Sequence, residues 1–155
     1  MRVPLLVRWK GQVPAGTTSD RVTGFEDWLP TILELAGASN AIPPGLDGLS
    51  FAPTLRGHAQ AARPFLYREF PSYGGQQSVR LGDWKGIRQQ INPRGPNARP
   101  ELRTALYDLA SDPGETRDVA AQHPKVIAQI ERLMREQHTP SKEFPFPALD
   151  AAKGD

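Results

Sequence analysis

The sequence contains no cysteine, which excludes disulfide bridges, thiolate metal ligands and a cysteine nucleophile. It also has no run of about eighteen apolar residues, the length that a membrane-spanning helix requires. The first residues do not resemble a signal peptide, because residues 3–7 are the only apolar stretch between Arg2 and Arg8. We therefore expect neither thiol chemistry nor a membrane partner for this chain.

Charge of one sign is not concentrated anywhere. The chain has 19 basic and 17 acidic residues, and its net charge is +2. Nucleic-acid-binding proteins normally present a basic face or stripe, whereas the densest basic stretch, residues 94–103, is interrupted by Glu101 and by proline. We therefore expect no nucleic-acid partner.

Proline and glycine, by contrast, are abundant. The 16 prolines and 14 glycines make up about a fifth of the chain, well above average usage. They separate apolar segments instead of forming a low-complexity tract, which predicts a loop-rich folded unit. Long ordered loops usually pack against another surface, so this composition is a first indication that a partner surface is missing.

The front of the chain has α/β character. The continuous apolar run at residues 3–7 predicts a strand buried on both faces. Such strands belong to sheets covered by helices, so this one implies neighbouring strands outside the sequence. A helix follows, with Asp27 as its cap, Pro30 in its first turn and Gly37 at its end.

The back of the chain follows a different pattern. Short strands are predicted at residues 64–70, 77–81, 84–88 and 105–109, and an amphipathic helix opens at Pro124. The predicted fold class is α+β: a short α/β remnant (strand plus helix), then a small antiparallel sheet of about four strands packed on a C-terminal helix. The domain prediction is 1–45 for the α/β end, 46–63 for a connecting loop, 64–138 for the C-terminal subdomain and 139–155 for an extended tail.

The candidate binding residues lie in the loop between the first two predicted strands. Two glycines are flanked by Tyr73, Gln76 and Gln77. One interpretation is a binding loop, in which the tyrosine stacks on a sugar or aryl ring and the glutamine amides form hydrogen bonds with the same ligand. The alternative is a plain strand connection whose glycines supply positive φ angles. Both interpretations stay open from the sequence.

The remaining polar residues favour structural interpretations. Asp20, Glu26, Asp27 and Asp47 do not predict a metal site, because a hard cation needs about six converging oxygens. We expect Asp27 to cap a helix and Asp47 to form an Asx turn. Histidines 58, 123 and 138 are far apart in sequence, and Trp84 and Lys85 are assigned to packing against the C-terminal helix.

Five segments, in the same order, resemble the C-terminal portion of the type I (formylglycine-dependent) sulfatases, members of the alkaline-phosphatase-like superfamily. Together they cover about residues 2 to 138. They are 2–11 (RVPLLVRWKG), 27–37 (DWLPTILELAG), 47–57 (DGLSFAPTLRG), 79–85 (VRLGDWK) and 106–115 (LYDLASDPGE).

The resemblance implies a chemistry that this sequence does not carry by itself. In that family a formylglycine, made from the first residue of a C/S-x-P-x-R motif, attacks sulfur with the help of Ca²⁺. None of the seven serines here is followed by P-x-R. Ca²⁺, formylglycine and the sulfate-ester substrate are therefore expected in a full-length parent. A periplasmic or secreted location fits the parent family, whereas the location of this chain stays unknown from the sequence. It also implies that the loop at residues 70–77 approaches the substrate cleft.

Two functional hypotheses follow. The first is a C-terminal sulfatase fragment that lacks the nucleophile and the metal ligands and serves as a folding and substrate-side module without independent catalysis. The second is a stand-alone carbohydrate- or protein-binding module derived from a sulfatase C-terminal domain. Under the first, the exposed strand 3–7 is expected to promote self-association.

Overall fold

The computed structural model describes residues 3–95 and 97–151. The chain divides between Arg63 and Pro64 into two compact units. In the described part the helices and strands are α1 (Trp28–Leu35), α2 (Ala52–Leu55), β1 (Leu66–Phe70), β2 (Gln76–Leu81), β3 (Trp84–Gln89), β4 (Ala105–Asp108), α3 (Pro124–Gln137) and α4 (Pro147–Asp150). None of these helices is long and apolar enough to cross a bilayer.

The first unit is organised around the side chain of Asp27, which is 1% exposed. Its carboxylate accepts hydrogen bonds from the backbone N–H of Gly24 and of Leu49, both at 2.8 Å, and it pairs with the guanidinium of Arg63. Asp27 occupies the predicted N-cap position of α1, but its carboxylate makes no capping hydrogen bond to that helix. A buried carboxylate needs several hydrogen-bond donors, and the Leu49 N–H is one of them. Asp27 therefore fixes the loop at residues 47–51.

Thr31 makes a second connection between α1 and the same loop. Its hydroxyl donates to the carbonyl of Asp27 at 2.5 Å and accepts from the backbone N–H of Phe51 at 3.0 Å. The Phe51 ring packs edge-on against Trp28, with 5.1 Å between centroids. A Cβ at Gly48 would lie 2.0 Å from the Glu26 carbonyl oxygen, so only glycine fits there. Segments 27–37 and 47–57 are therefore two parts of one packing unit.

Residues 3–7 do not form the predicted strand. The structure assigns no strand to them, and they are exposed, Leu6 to 94%. A strand requires a neighbour to receive its backbone hydrogen bonds, and the sheet in the described residues consists only of β1 to β4. The apolar pattern therefore indicated burial, but the described part of the chain supplies no sheet in which residues 3–7 are buried.

The second unit confirms the predicted α+β architecture. Its antiparallel sheet has the order β1-β2-β3-β4, and Val79 and Leu106 lie opposite Gly86 on the two neighbouring strands. Helix α3 packs on this sheet through Ile130 and Met134, which are fully buried with Val79 and Leu106. The missing side chain of Gly86 makes room for Ile130, since a Cβ would lie 2.4 Å from its Cγ2.

The expectation of an extended tail over residues 139–155 does not hold in the described part, which ends at residue 151. Helix α4 begins at Pro147, a residue that the first helical turn accepts. Phe146 and Leu149 are buried in a small second core with Ile91. The sequence pattern missed this element because its prolines indicated an extended chain.

Candidate substrate-side site

The loop between β1 and β2 holds a tyrosine in a backbone conformation that favours glycine. Tyr73 has φ 56°, and the following Gly74 and Gly75 have φ 80° and 77°. Non-glycine residues in this region store strain, which clusters at functional sites. The Tyr73 side chain is 80% exposed, so burial of the ring does not offset that strain.

Hydrogen bonds to the segment after β3 fix the loop. The Asn92 N–H donates to the carbonyl of Gly74 at 2.7 Å, and the Gln90 side-chain amide donates to the carbonyl of Tyr73 at 3.3 Å. Space is also limited: a Cβ at Gly74 would lie 2.3 Å from Gln90 Oε1, and one at Gly75 would lie 3.1 Å from the Asn92 nitrogen. The loop therefore presents Tyr73 from a fixed backbone.

Tyr73 borders an open concavity of about 500 Å³, which is lined by Phe70, Ser72, Tyr73, Gly74 and Arg94. The rings of Phe70 and Tyr73 lie 6.2 Å apart between centroids and are inclined by 33°. Phe70 is half exposed and Arg94 is exposed. Neither Phe70 nor Arg94 was predicted from the sequence, since only the fold brings residue 94 back to the β1–β2 loop.

Gln77 does not join Tyr73 at this concavity. It is 1% exposed, and its amide nitrogen donates to the Tyr67 hydroxyl and to the Met134 carbonyl, both at 3.0 Å. Gln76 is half-buried and pairs with Phe70 across β1 and β2. Because neighbouring residues of a strand point to opposite faces, the two glutamines could not both have flanked one ligand.

Gln77 belongs to a buried polar network between the sheet and α3. Arg88 is its centre: the guanidinium donates to Thr104 Oγ1 at 3.0 Å, to Glu131 Oε1 at 3.2 Å and to Gln77 Oε1 at 3.4 Å. Thr104 also donates to Glu131 at 2.8 Å. Buried polar groups are stable when they are satisfied in this way, so this part of the network is structural.

The network continues through Tyr67 to His138. Burial, as the largest influence, raises the pKa of Tyr67 well above its ordinary value, and the hydroxyl donates to Glu69. His138, 3% exposed, lies between two carboxylates, with Nδ1 2.6 Å from Glu69 and Nε2 2.9 Å from Asp150. Asp150 is in α4, so His138 connects the end of α3 to the C-terminal helix.

His123 and Lys85 have separate contacts. The His123 ring packs against Trp84, with 4.6 Å between ring centroids and the planes inclined by 50°. The Lys85 ammonium pairs with both oxygens of Glu115, at 2.6 and 2.8 Å, whereas the sequence pattern predicted that its side chain packs against the C-terminal helix. Within residues 3–95 and 97–151, no three His, Cys, Asp or Glu side chains converge as metal ligands. The described residues therefore do not fit the Ca²⁺ expected for the parent.

Comparison with known proteins identifies the family. The sequence-family model that describes the C-terminal region of N-sulphoglucosamine sulphohydrolase matches residues 1–140. Arylsulfatase G of Mus musculus is 38% identical over 148 residues, and an ulvan-active sulfatase of Formosa agariphila is 28% identical over 166 residues. These alignments cover 86% and 88% of this chain but only 28% and 32% of the relatives.

A solved structure has the same fold. It is a 2-O GAG sulfatase with 30% identity and a TM-score of 0.56, and the match covers 71% of this chain and 23% of that one. Like the curated relatives, it is several times longer than the matching region. The chain therefore belongs to the N-sulphoglucosamine sulphohydrolase C-terminal family and corresponds to the C-terminal portion of a sulfatase.

Proposed function

We propose that this chain is the folding and substrate-side module of a sulfatase and has no independent catalysis. The observation that carries the proposal is the family match over residues 1–140 in a sequence without a C/S-x-P-x-R motif. Sulfate-ester hydrolysis in this family needs an activated nucleophile, and on this proposal the nucleophile and Ca²⁺ belong to the rest of a full-length sulfatase.

Tyr73 and its loop support the substrate-side role. The ring is exposed on a backbone fixed by hydrogen bonds, and rigid presentation lowers the ordering cost of binding a ligand. One relative is ulvan-active and one solved relative is a 2-O GAG sulfatase. A sulfated carbohydrate is therefore the substrate class that we propose for the full-length enzyme.

The exposed apolar segment 3–7 supports the module interpretation from the other end of the chain. This segment has four exposed apolar side chains, Val3, Leu5, Leu6 and Val7. Contiguous exposed apolar surface normally marks an interaction site. We assign this segment to contact with the rest of the sulfatase. In the isolated chain we expect it to drive self-association.

Sedimentation velocity of the purified chain over a range of concentrations tests this assignment. We expect the wild type to associate as concentration rises and Leu6→Asp to remain monomeric, because the charge is placed at the most exposed apolar position. Leu102→Asp is the matched control, since Leu102 is also exposed but lies in the second unit, and it should associate like the wild type.

A monodisperse wild-type monomer at all concentrations would contradict the assignment of residues 3–7. It would favour the second hypothesis, a stand-alone carbohydrate-binding module, for which the concavity beside Tyr73 is the supporting feature.

A further inference from the structure

The buried ring of His138 meets a carboxylate oxygen at each of its two nitrogens. Nδ1 lies 2.6 Å from Glu69 Oε1 and Nε2 lies 2.9 Å from Asp150 Oδ1, and the residue is 3% exposed. A neutral imidazole has one N–H donor and one lone pair, whereas an imidazolium donates through both nitrogens. Both contacts are therefore hydrogen bonds only when the His138 ring carries two protons.

The donors around Glu69 show that this carboxylate does not supply the missing proton. The Gln77 amide donates to the Tyr67 hydroxyl oxygen at 3.0 Å, so the hydroxyl hydrogen of Tyr67 is directed to Glu69 Oε1. Burial raises the pKa of Tyr67 well above its ordinary value, which keeps this hydrogen in place. Glu69 Oε1 is thus an acceptor from Tyr67 already, and the proton between Glu69 and His138 belongs to the ring.

The charged groups of this network come from four elements. Glu69 in β1 and Asp150 in α4 face the ring, whereas Arg88 in β3 and Glu131 in α3 pair with each other at 3.2 Å. Charges that are withdrawn from water need a partner of opposite sign. The protonated His138 is that partner for the two carboxylates beside it.

Helix α4, which carries Asp150, lies against the inner side of the β1–β2 loop. The Phe146 ring is so close to Gly75 that a Cβ on this glycine would lie 2.7 Å from Cε1 of the ring. Phe146 also packs with Ile91, whose backbone N–H donates to the Gly75 carbonyl at 3.3 Å. The contact from His138 to α4 therefore reaches the loop that presents Tyr73.

We propose that His138 is a pH-sensitive clasp, which in its protonated form holds α4 against the sheet and so supports the β1–β2 loop. When the ring is neutral, one nitrogen turns a lone pair towards a carboxylate oxygen, and α4 is released. Histidine ordinarily changes its charge between about pH 5 and 8, where aspartate and glutamate are normally ionised. The clasp is therefore closed on the acid side of this range and opens as the pH rises. This device goes beyond the proposed function, since it concerns how the loop is held and not what the chain hydrolyses.

Two measurements on the full chain, made between about pH 5 and 9, test the clasp. Nitrogen-15 NMR of the His138 ring, assigned with His138→Gln, reports its protonation. Hydrogen exchange followed by mass spectrometry gives protection factors, in which the intrinsic pH dependence of exchange is removed. We expect the protection of residues 145–151 and 71–77 to fall at least about tenfold as the ring loses its proton, while helix α1 keeps its protection.

Asp150→Asn separates the loss of a charge from the loss of the contact. The asparagine oxygen can still accept the Phe146 N–H, as Asp150 Oδ2 does at 3.2 Å, and its amide can donate to Nε2 of the neutral ring. In this variant α4 should stay protected at high pH, with a change of less than about twofold over the range. His58→Gln is the matched control, since His58 is an exposed histidine of the first unit, and it should retain the pH dependence of the wild type.

Two results with the wild type alone would overturn the proposal: a neutral ring at about pH 5 with α4 fully protected, or an imidazolium that persists beyond about pH 8. Protection that does not follow the titration of the ring would also overturn it, as would a wild-type pH dependence in Asp150→Asn. Loss of protection in residues 145–151 without any loss in residues 71–77 would refute the connection to the loop. All of these results are distinguishable from failure of the proposed function, which depends on hydrolysis of a sulfate ester.

Discussion

Gly86 is the position at which a single methyl group should disturb the second unit most clearly. In the wild-type structure a Cβ at this position would lie 2.4 Å from Cγ2 and 3.3 Å from Cδ1 of Ile130, and 3.3 Å from Cγ2 of Thr104. Ile130 is fully buried in α3 and is β-branched, so its side chain has little freedom to move aside. Gly86→Ala therefore requires a shift of the helix relative to the sheet.

The expected cost follows from two opposing effects. Overpacking of a buried site costs about 1–3 kcal/mol, whereas replacing glycine by alanine reduces the entropy of the unfolded chain by about 0.5–1 kcal/mol in the other direction. Because the contact at 2.4 Å is with a carbon held on a helix, we expect the upper part of the overpacking range and a net loss of about 1–2 kcal/mol. For a domain of this size that lowers the Tm by about 4–8 °C for each kcal/mol.

Urea unfolding followed by far-ultraviolet circular dichroism measures this loss, and a second substitution tests its cause. Ile130→Leu removes the branch at Cβ while conserving volume, so in combination with Gly86→Ala it should recover at least about 0.5 kcal/mol of the loss. Gly114→Ala is the control, because its Cβ would meet an exposed threonine methyl at 3.3 Å and Asp112 Oδ1 at an ordinary contact distance of 3.7 Å. A Gly86→Ala protein as stable as the wild type, or no coupling with Ile130→Leu, would refute the packing argument.

Three further predictions concern other contacts. Asp27→Ala leaves the buried Arg63 guanidinium with Glu26, at 3.4 Å, as its ion-pair partner, and it removes the acceptor of the Gly24 and Leu49 N–H groups. Calorimetry should show the first unit destabilised by about 3–5 kcal/mol; a loss below about 1 kcal/mol would contradict this role. His138→Ala should release α4, so that trypsin cleaves after Lys142 faster than in the wild type, and unchanged cleavage would count against the connection. The Arg117 N–H, bonded to Asp112, lowers the pKa of that carboxyl. The ionised Asp112 carboxylate therefore stabilises the fold above the ordinary aspartate pKa of about 3.9, and this stabilisation is lost as pH falls through the lower pKa of the folded state. Asp112→Asn should make the dependence of stability on acid pH less steep, and an unchanged slope would contradict this prediction.

Local signals made most of the second unit predictable. The β-rich runs at residues 77–81 and 84–88 indicated the two strands that the structure places at Gln76–Leu81 and Trp84–Gln89. The apolar spacing after Pro124 likewise indicated α3, since one face of the helix is buried on the sheet. These elements depend on residues close together in sequence, which is why their pattern alone identified them.

Long-range contacts account for what the sequence did not reveal. The strand predicted at residues 3–7 needs a sheet that the described part of the chain does not provide. Gln77 seemed suited to a surface role, but it is buried because its partners include the carbonyl of Met134, 57 positions away. Arg94 carried no local signal, since only the folded β1–β2 loop brings Tyr73 to it.

The central claim is that this sulfatase module has no chemistry of its own, and hydrolysis of an aryl sulfate by the purified chain tests it most directly. The assay contains Ca²⁺, with an aryl phosphate as the control substrate. We expect no turnover above background with either ester. Hydrolysis of the sulfate ester would contradict the claim if the activity copurified with the chain and was lost when one of the chain's own residues was substituted.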